Sequence, residues 1–297
     1  MPSFISRRIQ FYTQFGLPLA GDLYLPEPMP AGDRVPGIVL CQGYTGLRNL
    51  LLPGIAQRLA QKGLAALIFD YRGFGDSGGP RERLYPENLV RDVRNGLSFL
   101  SQQPEIESSQ LGLYGVSFGG AVAAYAAALD RRVKAVVSVS AFADGEELIR
   151  ANYPPEEFRK LLDRASRALN HQATVGVEAH FHPLEIMSFE PGAEKVYEEF
   201  VKKMPQLQTR MAFDTLDSIL NFKPIDVVHR IAPRAYLIIH AEKDRKTSLE
   251  QAKALARKAG EPCQLAVFPD CDHPDLDRGH GMEEQVRLAG EWFKSHF

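Results

Sequence analysis

The sequence predicts an α/β fold: a mostly parallel sheet with helices on both faces and one helical insertion. Three observations carry that prediction. Short apolar runs alternate with helical segments along most of the chain. The runs are apolar on both faces, as strands covered by two helical layers must be. Between about residues 143 and 223 the alternation stops and helical signals take over.

The first element stands apart. IQFYTQFGLPLAGDLYLPEP alternates loosely and turns at Gly16 and Gly21. It reads as an antiparallel hairpin ending in a proline-rich loop. GIVLCQG then reads as a strand, followed by a helix over 50–62. LAALIFD is the next strand, with a glycine-rich loop and a helix over 87–102 behind it. QLGLYGV leads into a helix from about 118 to 129, and VKAVVSVS is the strand after it. RAYLIIHAEKD, a helix over 248–259, QLAVFPD and a final helix over 283–296 complete the pattern.

The interval carries EELIRANYPPEEFRKLLDRASRAL and AEKVYEEFVKKM but no run resembling a buried strand. A structureless loop of that length is improbable inside a compact domain. The expected organisation is a core of 1–142 and 224–297 with a helical cap, or lid, over 143–223. Doubly wound sheets bind ligands beyond the carboxyl ends of their strands, where such a cap would sit. The alternative is a helical extension on a side face.

Bulk composition narrows the function classes. The 297 residues are 44% apolar and 24% charged, with a formal net charge of −2. Such a balance can build a large core and gives no field favouring nucleic acid or an anionic membrane. Three cysteines, Cys41, Cys263 and Cys271, have no metal-ligand spacing and an odd count, so a reducing, cytoplasmic setting is expected. No apolar run fits a signal segment, and none approaches the roughly 18 residues of a spanning helix. A homodimer is the common prior for soluble enzymes.

The chemistry concentrates at YGVSFGG, residues 114–120. Gly115-x-Ser117-x-Gly119 lies between a strand and a helix, the context of a nucleophile elbow. Flanking glycines let the chain turn tightly. The first N–H groups of the following helix point back toward the serine and can stabilise an oxyanion. A serine hydroxyl also needs a base, and the base an orienting acid. Asp244 ends RAYLIIHAEKD at the carboxyl end of its strand; Glu242 is the second choice. His273 follows QLAVFPDCD directly, ahead of His280 in DRGHG and of His296, which is expected to be solvated. The N–H groups of Tyr44 and Phe118 are the candidate oxyanion donors. The Tyr44 hydroxyl could reach the oxyanion or a substrate, or wall a pocket. Cys41 reads as a small buried hydrophobe.

In the insertion, His180, Phe181, His182, Met187, Phe189, Phe213 and the tract ANYPPEEF are candidates for a substrate pocket or for the insertion's own core. His180 and His182 resemble half a metal site, but no third ligand stands nearby, and no metal is expected. The glycine-rich loop lacks the Lys-Ser/Thr pair of a phosphate cradle.

Together CQGYTG (41–46), DYRGFGDSGG (70–79), GVSFGG (115–120), HAEKD (240–244) and CDHPDL (271–276) resemble the α/β-hydrolase superfamily over nearly the whole chain. The similarity is to its dienelactone-hydrolase-like and bacterial YcjY-like esterase branches, with serine instead of cysteine at the elbow. Gln42-Gly43 stands where the family commonly has His-Gly. The resemblance implies an eight-stranded sheet with strand two antiparallel. It also implies cleavage of a carboxylic ester of a small or medium substrate through an acyl-enzyme on Ser117, with no cofactor. Thioester cleavage, acyl transfer, carbon–carbon bond hydrolysis and a non-catalytic ligand-binding role are the alternatives the fold permits.

Overall fold

The computed structural model describes residues 3–30, 32–187, 193–208 and 210–297. The chain opens with strands β1 (Ser3–Tyr12) and β2 (Pro18–Glu27), paired antiparallel. Then follow β3 (Val35–Cys41), α1 (Leu52–Gln61), β4 (Ala65–Phe69) and α2 (Pro86–Ser101). Next come β5 (Ile106–Val116), α3 (Phe118–Leu129) and β6 (Val133–Val139). An insertion carries α4 (Gly145–Arg150), α5 (Pro155–Val175), β7 (His180–Phe181), α6 (Leu184–Met187), α7 (Ala193–Lys203), β8 (Met211–Ala212) and α8 (Phe213–Leu220). The chain ends with β9 (Ala235–Ala241), α9 (Leu249–Ala259), β10 (Cys263–Phe268) and α10 (Gly279–His296).

Eight strands form one sheet in the order β1-β2-β4-β3-β5-β6-β9-β10. Only β2 runs against its neighbours, pairing antiparallel with β1 and β4. The others pair in parallel. Consecutive strand residues enter opposite cores: Val39 and Leu40, Leu113 and Tyr114, Ile238 and Ile239. That period of two follows from the pleat. One core also takes residues of α2, α3 and α9, and the other residues of α1 and α10. Burial on both faces explains why these strands are apolar throughout; each fully buried Leu or Ile contributes about 1.5–3 kcal/mol.

Local rules set the helix ends. Pro86 opens α2 and Pro155 opens α5, where a missing N–H costs nothing. Gly176, at φ 76°, closes α5. Asp144 caps α4 by accepting from the amides of Glu146 and Glu147. Phe158, Leu161, Ala165 and Ala168 form a buried stripe on α5 at helical spacing.

The insertion leaves and rejoins the core at one neck. Gly145 N donates to Phe222 O (3.0 Å) and Ile225 N to Ala143 O (3.0 Å). The Phe142 and Phe222 rings lie 6.1 Å apart, and each packs on Phe118, at 5.2 and 6.4 Å.

Three details differ from the sequence expectation. Gly21, expected to turn, lies inside β2, opposite Ile9 and Phe69. The insertion contains a short ladder, His180 opposite Ala212 and Phe181 opposite Met211; two residues are too few for alternation to be visible. The last helix starts at Gly279 rather than 283, so His280 lies in its first turn. A Cβ on Gly281 would stand 2.1 Å from the Asp275 carbonyl oxygen. Gly281 lets the helix start pack against the His273 turn.

Candidate active site

Ser117 sits between β5 and α3 at φ 54° and ψ −122°. A non-glycine residue rarely occupies that region, and strain there is held by its surroundings. Here those surroundings are tight. A Cβ on Gly115 would meet the Gly119 carbonyl oxygen at 2.1 Å, and one on Gly119 would meet the Cys41 carbonyl oxygen at 2.2 Å. Both positions therefore require glycine. Ser117 N donates to Val139 O at 2.7 Å. Its side chain precedes α3 yet makes no capping bond, and among the described residues its hydroxyl makes no hydrogen bond.

Asp244 follows β9 by three residues and is 7% exposed. Four donors reach its carboxylate. Lys246 N and Thr247 N donate to Oδ1 at 2.9 and 2.8 Å. Thr247 Oγ1 and His273 Nδ1 donate to Oδ2 at 2.9 and 2.8 Å. Burial pushes the acid up, but the hydrogen bond and charge of His273, with the Thr247 amide, win and hold it down at about 2. With Nδ1–H engaged by the carboxylate, Nε2 is the ring nitrogen left to exchange a proton.

His273 lies in a one-turn 3-10 segment after β10. Asp272 caps that turn, accepting from His273 N at 2.7 Å, while Asp275 accepts from Asp272 N at 2.9 Å. The histidine is 7% exposed. A short chain of bonds links this pair to the serine. Ser117 N is on Val139 O, Ser140 N is on Ile239 O (2.9 Å), and Thr247 Oγ1 is 3.1 Å from Ser140 O. The three expected residues thus follow β5, β9 and β10, parallel strands of one sheet, at their carboxyl ends. Asp244 and His273 touch, and the serine hydroxyl is left open.

The alternatives are elsewhere. Glu242 accepts from Asp270 N at 2.9 Å. His280 lines a surface groove of about 830 Å³ with Cys271 and Glu284. His296 was expected to be solvated, but it is half-buried: its Nδ1 lies 2.8 Å from the Trp292 carbonyl and its ring 4.1 Å from the indole. Cys41 is fully buried, and burial pushes its thiol up to about 12.

The loop after β3 lies against the serine: a Cβ on Gly43 would stand 3.7 Å from Ser117 Cβ. The Tyr44 ring is 5.9 Å from that of Phe118. Its hydroxyl is buried without a partner, and burial first, then Tyr197 and Glu185 of the insertion, push it well above 10. The Phe118 amide is in the first turn of α3, where helices leave N–H groups free.

Sequence reasoning missed what holds this loop. Arg48, 5% exposed, donates to Asp22 at 3.0 Å and Asp76 at 2.7 Å, and also pairs with Asp70. Its backbone N donates to Asp70 at 2.8 Å. Burial pushes Asp70 up while Arg48 pulls against it. A Cβ on Gly75, at φ 49°, would stand 2.2 Å from Asp70 Oδ2. The glycine-rich loop therefore wraps its own aspartate. His240 was also missed. It is fully buried on β9, with Nε2 2.8 Å from Thr247 O and 3.7 Å from Asp244 Oδ2, and burial lowers its pKa. An apolar strand concealed it.

Two of the insertion's candidates pack on each other, and His180 reaches Glu82 in the core loop before α2. Phe181 and Phe213, both 3% exposed, have rings 5.2 Å apart. His180 is 3.2 Å from Glu82 and 3.9 Å from Glu178. His182 Nδ1 accepts from Leu184 N at 3.3 Å, and its ring lies edge-on to Tyr197. Among the described residues no hydrogen bond, ion pair or ring contact joins these four to Ser117, Asp244 or His273. Phe189 and the Met187 side chain lie outside the described residues. Among the described residues no group of three or more His, Cys, Asp or Glu could hold a metal ion, and no helix is long and apolar enough to cross a membrane.

Comparison with known proteins agrees with this architecture. The α/β hydrolase fold family profile matches residues 36–279. An uncharacterized 31.7 kDa protein of the traX-finO intergenic region of Escherichia coli is 32% identical over 281 residues, 94% of this chain and 97% of that protein. Thiohydrolase aneE of Aspergillus aculeatus is 27% identical over 307 residues, 97% of this chain and 94% of its own. The crystal structure of the hypothetical protein PA2218 from Pseudomonas aeruginosa superposes with a TM-score of 0.84 at 25% identity, covering 99% of this chain and 94% of that one. With its family profile, its sheet order and its relatives in accord, this chain belongs to the α/β hydrolase fold family.

Proposed function

We propose that the protein is a serine hydrolase that cleaves a carboxylic ester, or a related acyl bond, of a small to medium substrate. The observation that carries this is the 2.8 Å bond between His273 Nδ1 and an Asp244 carboxylate that already holds three further donors, at the rim where Ser117 sits strained and uncapped. His273 Nε2 takes the Ser117 proton as Oγ attacks the acyl carbon. Asp244 fixes the tautomer and stabilises the imidazolium. The Tyr44 and Phe118 amides receive the tetrahedral oxyanion. The proton passes to the leaving oxygen, and water, deprotonated by the same imidazole, then frees the acid and regenerates Ser117. The serine–histidine bond closes when substrate binds, as such bonds often do.

The insertion is the lid in this reading. Support comes from its neck on Phe118 and from the unpartnered Tyr44 hydroxyl close to Tyr197 and Glu185. The setting is cytoplasmic, where three free thiols stay reduced. A second reading, thioester cleavage, is favoured by the similarity to a thiohydrolase. It uses the same residues with a thiolate leaving group.

The test is fluorophosphonate labelling, with p-nitrophenyl esters of graded chain length run beside matched acyl thioesters. Labelling and turnover should vanish in Ser117→Ala. Activity that survives this substitution removes the proposal, and a preference for the thioesters selects the second reading.

A further inference from the structure

Thr247 is 1% exposed, and each of its polar atoms touches the Asp244–His273 pair or what holds it. Its N–H donates to Asp244 Oδ1 at 2.8 Å. Its hydroxyl lies 2.9 Å from Asp244 Oδ2, 3.1 Å from the Ser140 carbonyl oxygen and 3.5 Å from His273 Nδ1. Its carbonyl accepts from His240 Nε2 at 2.8 Å. A buried hydroxyl needs one good partner; this one has two acceptors for a single hydrogen. Ser140, at φ 49°, presents one of them. The hydroxyl can therefore direct its hydrogen to the carboxylate or to the Ser140 carbonyl.

We propose that Thr247 is a positioning residue for proton transfer at Ser117, its hydroxyl selecting which Asp244 oxygen faces His273 and sharing that oxygen with the imidazole. The inference rests on the serine-hydrolase reading above. A carboxylate has about four lone-pair directions, and Asp244 fills them with two backbone amides, one hydroxyl and one imidazole. Without the hydroxyl, Oδ2 has a free direction, and the carboxylate can turn about its own axis. His240 holds the carbonyl side of the same residue. Its buried ring donates through Nε2 and acts as a strut, and burial lowers its pKa.

Around the pair stand Lys246 in the turn after β9, His240 on β9, and Asp272 and Asp277 in the turn after β10. None of these changes when the hydroxyl alone is removed. A carboxylate short of one donor is a stronger base and stabilises the imidazolium more.

The experiment measures hydrolysis of p-nitrophenyl acetate and the rate of fluorophosphonate labelling. Thr247→Val keeps the shape and removes the hydroxyl. Its kcat should fall about tenfold, the expected scale for a hydrogen bond to a charged group, with KM held within about twofold. The acid limb of its kcat/KM profile should move to higher pH. Thr247→Ser and Thr247→Ala form a second comparison, because both lose the methyl group and only serine keeps the hydroxyl. Serine should recover kcat and the acid limb; alanine should not. A folded Thr247→Val protein with wild-type kcat and an unmoved limb overturns the inference, as do equal serine and alanine variants. Ser117→Ala is measured alongside. If it still reacts, the reading of the whole site has failed; if only the Thr247 variants match wild type, the inference alone has failed.

Discussion

In the turn after β9, the Asp244 carboxylate receives four hydrogen bonds, while in the loop after β3 the Gln42 amide nitrogen and the Tyr44 hydroxyl are buried and make none among the described residues. Both segments begin where a parallel strand ends. One is internally complete, and the other carries spare polar atoms and a residue, Thr45, held at φ 52°. Buried polar groups are nearly always paired in native structures. In the proposed reading, the completed segment orients the proton acceptor before substrate arrives, and the incomplete one lies where an acyl oxygen would bind.

The largest expected effect breaks the complete segment. Asp244→Asn keeps the shape but cannot hold the His273 tautomer, and turnover should fall by on the order of 10⁴-fold. Steady-state kinetics on the best ester check this; a loss under about tenfold would mean that Asp244 does not orient the base.

Next in size is the loop's own support. Arg48→Met leaves the buried Asp70 without its cation, and leaves Asp22 and Asp76 with only the exposed Arg8. Removing one partner of a buried pair costs about 3–5 kcal/mol, so the melting temperature should drop by roughly 6–10 °C. An unchanged melting curve would mean that the loop after β3 holds its shape without this ionic tie.

Acid gives a smaller effect, and again on the complete side. Asp244 has its pKa depressed from 3.8 to about 2 in the fold. Its contribution is present above the unfolded value and is lost as pH falls through the folded one. It amounts to about 2 kcal/mol, disappearing between roughly pH 4 and pH 2. Denaturant melts of wild type and Asp244→Asn over that window should converge as the pH falls. Parallel curves would show that the carboxylate has no depressed pKa.

The smallest effect sharpens the incomplete side. Tyr44→Phe removes a hydroxyl without a partner, so stability should hold or rise by up to about 1 kcal/mol. Its kcat/KM should fall by about tenfold if the hydroxyl meets the substrate. Unaltered kinetics would make the ring a wall and nothing more.

These contrasts explain what could be read from the chain. Strands buried on two faces spell themselves as apolar runs, so the strand carrying Val39 and Leu40 and the one carrying Ile238 and Ile239 were visible. Ser117, Asp244 and His273 were placed by their position just past such runs. The Arg48 cluster was not legible, because its aspartates lie 22, 26 and 28 residues away and no local period links them. His240 was concealed by its apolar neighbours. The start of the last helix was not legible either, because the need for glycine at 281 comes from a carbonyl on another segment. Spacing along a chain reports local periodicity; ionic ties and close backbone approaches arise only when distant segments meet.

The neck formed by Phe142 and Phe222 has a consequence for descent and for engineering. An excursion of some eighty residues departs and returns at nearly the same point, with main-chain bonds closing the gap. The scaffold beneath does not register its length, since lengthening such an excursion costs little closure entropy. In the proposed reading, where this segment is the lid, it is portable: trading it for a different one would change what the site accepts, while the sheet underneath stays in register.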